Sequence, residues 1–182
     1  MKESTQGHIH PISQAIAEIN EIFFSMGFSI AEGPIIESEY YNFDALNVPH
    51  EHPARDMQDT FFIKGRKKMV LRTHTSPVQV RYMEEHQPPI RIIAPGRVYR
   101  NETTDASHEA QFFQVEGLVV GTSITLAHLK DTLEHFFSKF YKKDIPVRFR
   151  PGYFPFVEPG VEVDMLHTSS RGETQMCLKV LG

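Results

Sequence analysis

Six side chains in one stretch of this chain have the types and spacing to hold a nucleotide and a small charged molecule together. In AQFFQVEGLVV, Phe112, Gln114 and Glu116 are two apart. Residues two apart on a strand share a face, so an aromatic ring, an amide and a carboxylate point one way while Phe113 and Val115 point the other. Upstream, Arg100 and Glu102 repeat that spacing beside a polar loop that carries His108. The stretch from Arg91 to Val120 thus reads as two strands joined by that loop. A guanidinium beside a carboxylate and an exposed aromatic suits a triphosphate, a metal-linked phosphate and a purine ring. On alternation alone, a hairpin with a solvated polar face fits equally well.

The elements that must position these groups can be read from periodicity. Ile12, Ile16, Ile19, Phe23 and Met26 recur at helical spacing, with Pro11 suited to a first turn and Gly27 to the stop. A polar, proline-punctuated loop follows from Asn42 to Thr60. Phe61 to Ile63 and Met69 to Arg72 read as a hairpin around the KGRKK turn. Thr75 or Ser76 caps a helix with Pro77 near its first position, running to about Glu85. Ile124 to Tyr141 is a second long helix, with Leu126, Leu129, Leu133, Phe136, Phe137 and Phe140 as its apolar stripe. Val147 to Arg150, Val161 to His167 and Gln175 to Val180 read as further strands. Short strands joined by turns, with helices in separate blocks, predict an α+β domain on a largely antiparallel sheet.

Composition bounds the function without naming it. With 182 residues and 40% hydrophobic content, the chain has material for one sizeable core, and its length suggests one domain. A formal charge of -4 argues against coating nucleic acid through bulk electrostatics, so any such contact is local or shared with a partner. The most basic spot, Lys64 to Lys68, reads first as a solvated turn and second as a phosphate contact. No apolar run is long enough to cross a bilayer, and Met1 to Ile9 is polar with no signal peptide. The single cysteine, Cys177, excludes an internal disulfide and fits a reducing cytoplasm; its apolar surroundings mark a buried structural thiol. His8-x-His10 and His50-x-His52 suggest zinc, but no Cys or His pair stands at structural-zinc spacing. Neither a Rossmann fingerprint nor a P-loop is present.

GRVYRNETTDASHEAQFFQVEG resembles motif 2 of class II aminoacyl-tRNA synthetases, in the form found in bacterial phenylalanyl-tRNA synthetase α subunits. LRTHTSPVQVRYM (Leu71 to Met83), FPFVEPGVEVD (Phe154 to Asp164) and GPIIESEYYNFDALNVPHEHPARDMQDTF (Gly33 to Phe61) resemble the same subunits in the same order. Four long segments in order are a specific signal where a lone R-x-E is not. The resemblance spans nearly the whole chain and implies a class II synthetase-like antiparallel sheet flanked by helices. Gly33 to Ile36 resembles the motif 1 strand, which with its helix forms the dimer interface in that class. Ordinary core packing explains the same apolar stripe.

The resemblance implies a two-step ligation. The carboxylate of phenylalanine attacks the α-phosphate of ATP, pyrophosphate leaves, and the activated amino acid passes to the terminal adenosine of its tRNA. Such transfers need positioned positive charge more than a protein nucleophile. In this reading Arg100 is catalytic and bridges the α-phosphate and the incoming carboxylate. Glu102 holds the adenine amino group or orients the loop, His108 reaches the outer phosphates, and Phe112 stacks on adenine. Glu116, with Gln114, takes the substrate ammonium, since a buried cation needs a carboxylate partner. His74, Ser76 and Gln79 converge on the amino-acid backbone, and Phe154, Phe156 and Val157 line the side-chain pocket. Mg2+ arrives with ATP, and Glu158 matches a ligand position, with Glu162 and Asp164 as weaker candidates.

The resemblance ends before motif 3, whose arginine reaches the ATP phosphates. It also lacks the N-terminal helical arm that contacts tRNA. Residues 1–182 therefore read as one partial catalytic domain with motifs 1 and 2, incomplete at its C-terminus. The implied partners are ATP, phenylalanine, tRNA and a β subunit in an α2β2 assembly, with no membrane. A synthetase-like remnant that binds ligand or partner without catalysis is the alternative, and a class II ligase for another acid is the third reading.

Overall fold

The first helix forms where the apolar period predicts it. In the computed structural model, which describes residues 7–55, 59–101, 109–153, 157, 159–168, 174–176 and 180–181, helix α1 spans Pro11–Ser25. The His10 ring accepts a hydrogen bond from the Ile12 backbone N–H at 3.2 Å and so caps its start. At the other end Gly27 takes φ +80°, a left-handed turn at no Cβ cost. Strand β1 (Ser29–Ile30) and strand β2 (Ile36–Ser38) follow, then the one-turn helix α2 (Glu39–Asn42). The expected strand at Gly33 to Ile36 is displaced: pairing begins only at Ile36. Pro34 has no N–H to give, and Arg72 takes both the Gly33 and Ile35 carbonyls, through Nη1 and its backbone N–H.

The described part of the loop from Asn42 to Thr60, residues 42–55 and 59–60, is more ordered than its polarity suggests. It contains two short 3-10 turns, Asp44–Leu46 and Pro53–Arg55. Arg55 pins them together, donating to Asp44 and to the Val48 carbonyl while its guanidinium lies 4.9 Å from the Phe43 ring. Strand β3 (Met69–Leu71) pairs antiparallel with β2 and is bridged through Val70 to Phe62 around the basic turn. Helix α3 (Ser76–Glu85) comes next, at the predicted place. Strands β4 (Ile90–Tyr99) and β5 (Gln111–Val120) form the long hairpin, in register from Ile90↔Val120 to Tyr99↔Gln111.

Helix α4 (Leu126–Tyr141) is capped by Thr125 and His128, and β6 (Val147–Pro151), β7 (Val161–Thr168), β8 (Thr174–Met176) and β9 (Val180–Leu181) complete the described elements. The pairings are antiparallel except β1 on β4, which is parallel. This is the α+β arrangement that the sequence pattern implies. The described strands fall into three sheets: β1-β4-β5, β2-β3, and β6-β7-β8 with β9 beside β7. No helix among the described residues is long and apolar enough to cross a membrane.

The hairpin is packed on both faces. On one, Ile90, Ile92 and Ala94 bury against Val78 and Tyr82 of α3 with Ala31, Leu118 and Val120. On the other, Ile93 lies with Phe23 and Phe28 against Val115, Val119 and Phe136. The Phe23 and Phe136 rings stack at 4.9 Å, joining α1 to α4. A third cluster joins Phe137 to Ile145, Val147, Val163 and Met165.

One buried charge fixes α3 to the first strands. The Glu37 carboxylate is 0% exposed and receives two hydrogen bonds from Arg81, at 2.9 and 2.8 Å. Arg81 in turn lies 3.8 Å above the Tyr41 ring. Removing one partner of a buried pair leaves the other charge desolvated, at a cost of roughly 3–5 kcal/mol. Because Arg81 is partly open to water, the expected loss for Arg81→Met is lower, roughly 2–3 kcal/mol, measured as a drop in urea stability. Loss below about 0.5 kcal/mol, the level of an ordinary surface change, contradicts the clamp.

Candidate active site

The first turn of α3 is built around a carboxylate from the hairpin. Glu116 accepts from the Thr75 backbone N–H at 3.2 Å, the Ser76 hydroxyl at 2.7 Å and the Gln79 amide at 2.7 Å. A helix N-terminus leaves free N–H groups and favours negative charge there. Thr75 occupies the cap position, but its hydroxyl makes no cap bond, and the Ser76 hydroxyl is committed to Glu116. Burial pushes the Glu116 carboxyl above its ordinary range, and the hydrogen bonds from Ser76 and Thr75 pull it back. Its three donors are all neutral, so the carboxylate's own charge stays uncancelled by them.

Register places the neighbours. Glu116 faces Ala94, Gln114 faces Gly96 and Phe112 faces Val98, so the three side chains project from one face, as their spacing predicts. The Gln114 Oε1 and Thr75 Oγ1 atoms are buried with no hydrogen-bond partner. Arg100 lies just beyond this ladder. Its Nε donates to the Thr73 carbonyl at 3.2 Å and its guanidinium carbon sits 5.0 Å from the Phe112 ring centre.

Between the hairpin and the ordered loop is a cavity of about 240 Å³, lined by Phe43, Val48, His52, Ala54, Asp59, Thr73, His74 and Arg100. Sequence reasoning assigned His74 and Arg100 but missed the other wall. Its residues lie in the matched Gly33 to Phe61 segment, and of them only His52 carried a chemical signal, one that pointed to zinc. A backbone bond from Asn101 N–H to the Asp59 carbonyl, 3.1 Å, ties that wall to the hairpin. The Asn42 side chain holds Thr73 on the opposite side, donating at 3.0 Å to its hydroxyl and accepting at 3.2 Å from its N–H. His74 has a buried Nδ1 without a partner. Burial first, then the Arg100 charge, push its imidazole down to about 4.

Other assigned positions divide differently. Val157 is half-buried. Glu102, His108, Phe154, Phe156 and Glu158 lie outside the described residues. The weaker metal candidates are engaged by arginines: Asp164 receives Arg150 at 2.5 and 3.0 Å and Arg148 at 3.2 Å, and Glu162 pairs with Arg150 at 2.7 Å. Carboxylates committed to guanidinium groups are poor metal ligands. Among the described residues no three His, Cys, Asp or Glu side chains cluster to hold an ion. A metal cage built by these residues alone therefore does not fit. The His10 and His52 rings are turned to the backbone N–H groups of Ile12 and Ala54.

Comparison with known proteins adds a family to this geometry. Residues 1–179 match the model described as tRNA synthetases class II core domain (F). The phenylalanine–tRNA ligase alpha subunit of Caldicellulosiruptor saccharolyticus is 57% identical over 159 residues, covering 87% of this chain and 46% of that protein. Those of a Synechocystis species and Dehalococcoides mccartyi are each 53% identical, over 88% and 97% of this chain and 48% and 54% of theirs. The chain thus spans about half the length of the curated relatives it matches. The pyrrolysyl-tRNA synthetase of Desulfitobacterium hafniense superposes with a TM-score of 0.69 at 21% identity, over 90% of this chain and 57% of that one. That likeness concerns the fold.

The buried imidazole is testable apart from any likeness. Its folded pKa of about 4 lies below the ordinary 6.5, so the unfolded chain takes up a proton between those values that the folded chain does not. Stability from His74 is therefore full above pH 6.5 and falls with pH toward 4, by up to about 1.4 kcal/mol per pH unit. Glu116, raised in the fold, works in the opposite direction. Urea unfolding across this window should show a shallower acid loss in His74→Gln than in the parent; equal slopes would contradict the depressed imidazole.

Proposed function

This chain belongs to the family of class II tRNA synthetase core domains, and on that premise we propose that it is the catalytic core of a phenylalanine–tRNA ligase α subunit. It activates phenylalanine with ATP and transfers it to its tRNA. The observation that carries this reading is the Glu116 cradle: a buried carboxylate whose donors among the described residues are all neutral, beside a Gln114 oxygen with no partner among them. A primary ammonium supplies the charge and the donors that this corner lacks. The relatives' printed name supports phenylalanine as the amino acid.

From that corner the roles follow the ladder. The substrate ammonium sits at Glu116 and Gln114, with its carboxylate toward His74 and Arg100. His74 is neutral at physiological pH, so it donates or accepts a hydrogen bond without adding charge. The guanidinium of Arg100 bridges the carboxylate and the α-phosphate, holding the attacking oxygen in line and taking up negative charge as pyrophosphate departs. The adenine ring stacks on Phe112, with the Arg100 cation beside the same ring. Glu102 and His108 serve the adenine and the outer phosphates, and Phe154, Phe156 and Val157 enclose the phenyl ring. Glu158 is the position that would hold Mg2+, which would neutralise phosphate charge when bound with ATP. In the second step the tRNA terminal hydroxyl attacks the activated carbonyl, and AMP leaves. The partners are tRNA and a β subunit in the cytoplasm.

Pyrophosphate exchange checks this directly, run with each amino acid on this chain and on one extended to the relatives' length and paired with a β subunit. Phenylalanine alone should drive exchange in the extended, paired form. There Arg100→Ala should lower kcat by roughly 10²–10³-fold, while Glu116→Gln should act chiefly on the KM for phenylalanine. Exchange with another acid redirects the substrate, and none in any form turns the reading toward ligand binding without catalysis.

A further inference from the structure

The basic turn of residues 64–68 takes no part in the chemistry assigned so far, yet its backbone is fixed. The Ile63 N–H donates to the Met69 carbonyl at 2.9 Å and the Arg66 N–H to the Ile63 carbonyl at 3.2 Å. Gly65, at the third place of the turn from Ile63 to Arg66, has φ +80°, as a type II turn requires. Lys68 is left-handed too, φ 59°, where glycine would fit at lower cost. Its carbonyl accepts from the Glu39 N–H at 3.0 Å, which ties the turn to the start of α2. Lys64, Arg66, Lys67 and Lys68 are all exposed on this frame.

None of the four has a carboxylate partner among the described residues. Arg66 stands apart in this, since every other described arginine engages a carboxylate, a backbone carbonyl or an aromatic ring. In a chain of formal charge -4, these cations concentrate positive potential at one point of the surface. A guanidinium flanked by ammonium groups suits successive phosphates of a nucleic-acid strand. The turn is also within reach of the cleft. From it β3 leads into Thr73 and His74, and His74 is six residues beyond Lys68, at most roughly 20 Å away. A stacked strand places a phosphate about every 3.4 Å, so that reach spans about six nucleotides. We propose that this turn is a docking surface for RNA phosphates, across which the tRNA acceptor strand lies while its terminal adenosine occupies the cleft.

The choice of RNA rests on the ligase reading, but the phosphate contact is measured without catalysis. Binding of labelled tRNA to the extended, β-paired protein, followed by fluorescence anisotropy against salt, counts the contacts. Each one adds about 0.7–0.9 to the slope of log affinity against log salt. Lys64→Gln, Arg66→Gln, Lys67→Gln and Lys68→Gln combined should weaken binding and lower the slope by about three. Should the combination fail to fold, Arg66→Gln alone decides, with a slope lower by about 0.7–0.9. Ethylated phosphates that hinder the parent but not the combined variant should lie within about six nucleotides of the acceptor end. Phenylalanine-dependent exchange, which needs no tRNA, should match the parent; its absence from the parent overturns the ligase reading separately. A parent that binds no tRNA, or a folded variant that keeps the parent's slope, overturns the proposal, as does interference lost elsewhere along the tRNA. Lost β-subunit association with an unchanged slope assigns the turn to an acidic protein face and overturns it equally.

Discussion

A carboxylate taken out of water must be given donors, and the placing of Glu116 governs the rest of this molecule. It requires the first turn of α3 to meet the hairpin at one register, because Thr75, Ser76 and Gln79 all have to reach the same two oxygens. The helix is held there by apolar packing, with Val78 and Tyr82 on Ile90, Ile92 and Ala94. It is also held by the Glu37 to Arg81 bonds, which join it to β2. Apolar packing is tolerant of small slips, whereas a two-pronged charged bond is not. The combination turns an ordinary helix-on-sheet contact into a fixed distance between two halves of a cleft.

The same device recurs with different chemistry on the loop side. Arg55 gathers Asp44, the Val48 carbonyl and the Phe43 ring, so a segment with little regular structure still presents a defined wall. Asn42 and Thr73 exchange two hydrogen bonds where that wall meets β3. The Glu37 and Asn42 joins use buried polar groups whose partners are distant in the chain, whereas Arg55 finds its partners within its own loop. Such joins cost more to break than to leave unmade.

That distance explains what the sequence could and could not disclose. Helices α1 and α4 and the long hairpin were legible because periodicity is local: a stripe at every third or fourth residue, or an alternation, survives without knowledge of the fold. The shared face of Phe112, Gln114 and Glu116 came from the same rule. The displaced strand at Ile36–Ser38 was not legible, because Gly33 and Ile35 give their carbonyls to Arg72, which lies far along the chain. Thr75 and Ser76 looked like cap hydroxyls, and the partner that claims Ser76 is 40 residues away. Arg72 read only as the last residue of a strand, and Glu37 carried no signal of its own. The cavity wall from Phe43 to Asp59 read as a loop, since its shape comes from Arg55 and from pairing with Asn101 rather than from any pattern of its own.

The hairpin has two unlike sides, and this has a practical meaning. Val115, Val119 and Ile93 bind the sheet to α1 and α4, while on the opposite face Leu118 and Val120 pack toward α3 and Phe112, Gln114 and Glu116 carry that face on to the cleft. Substitutions at 112 and 114 can accordingly be recombined in a library without touching the side that secures α1 and α4. On their own face the strand changes duty along its length, from cleft wall at 112 and 114 to support for α3 at 118 and 120, so a tunable position is separated from a supporting one by place along the strand and by parity together.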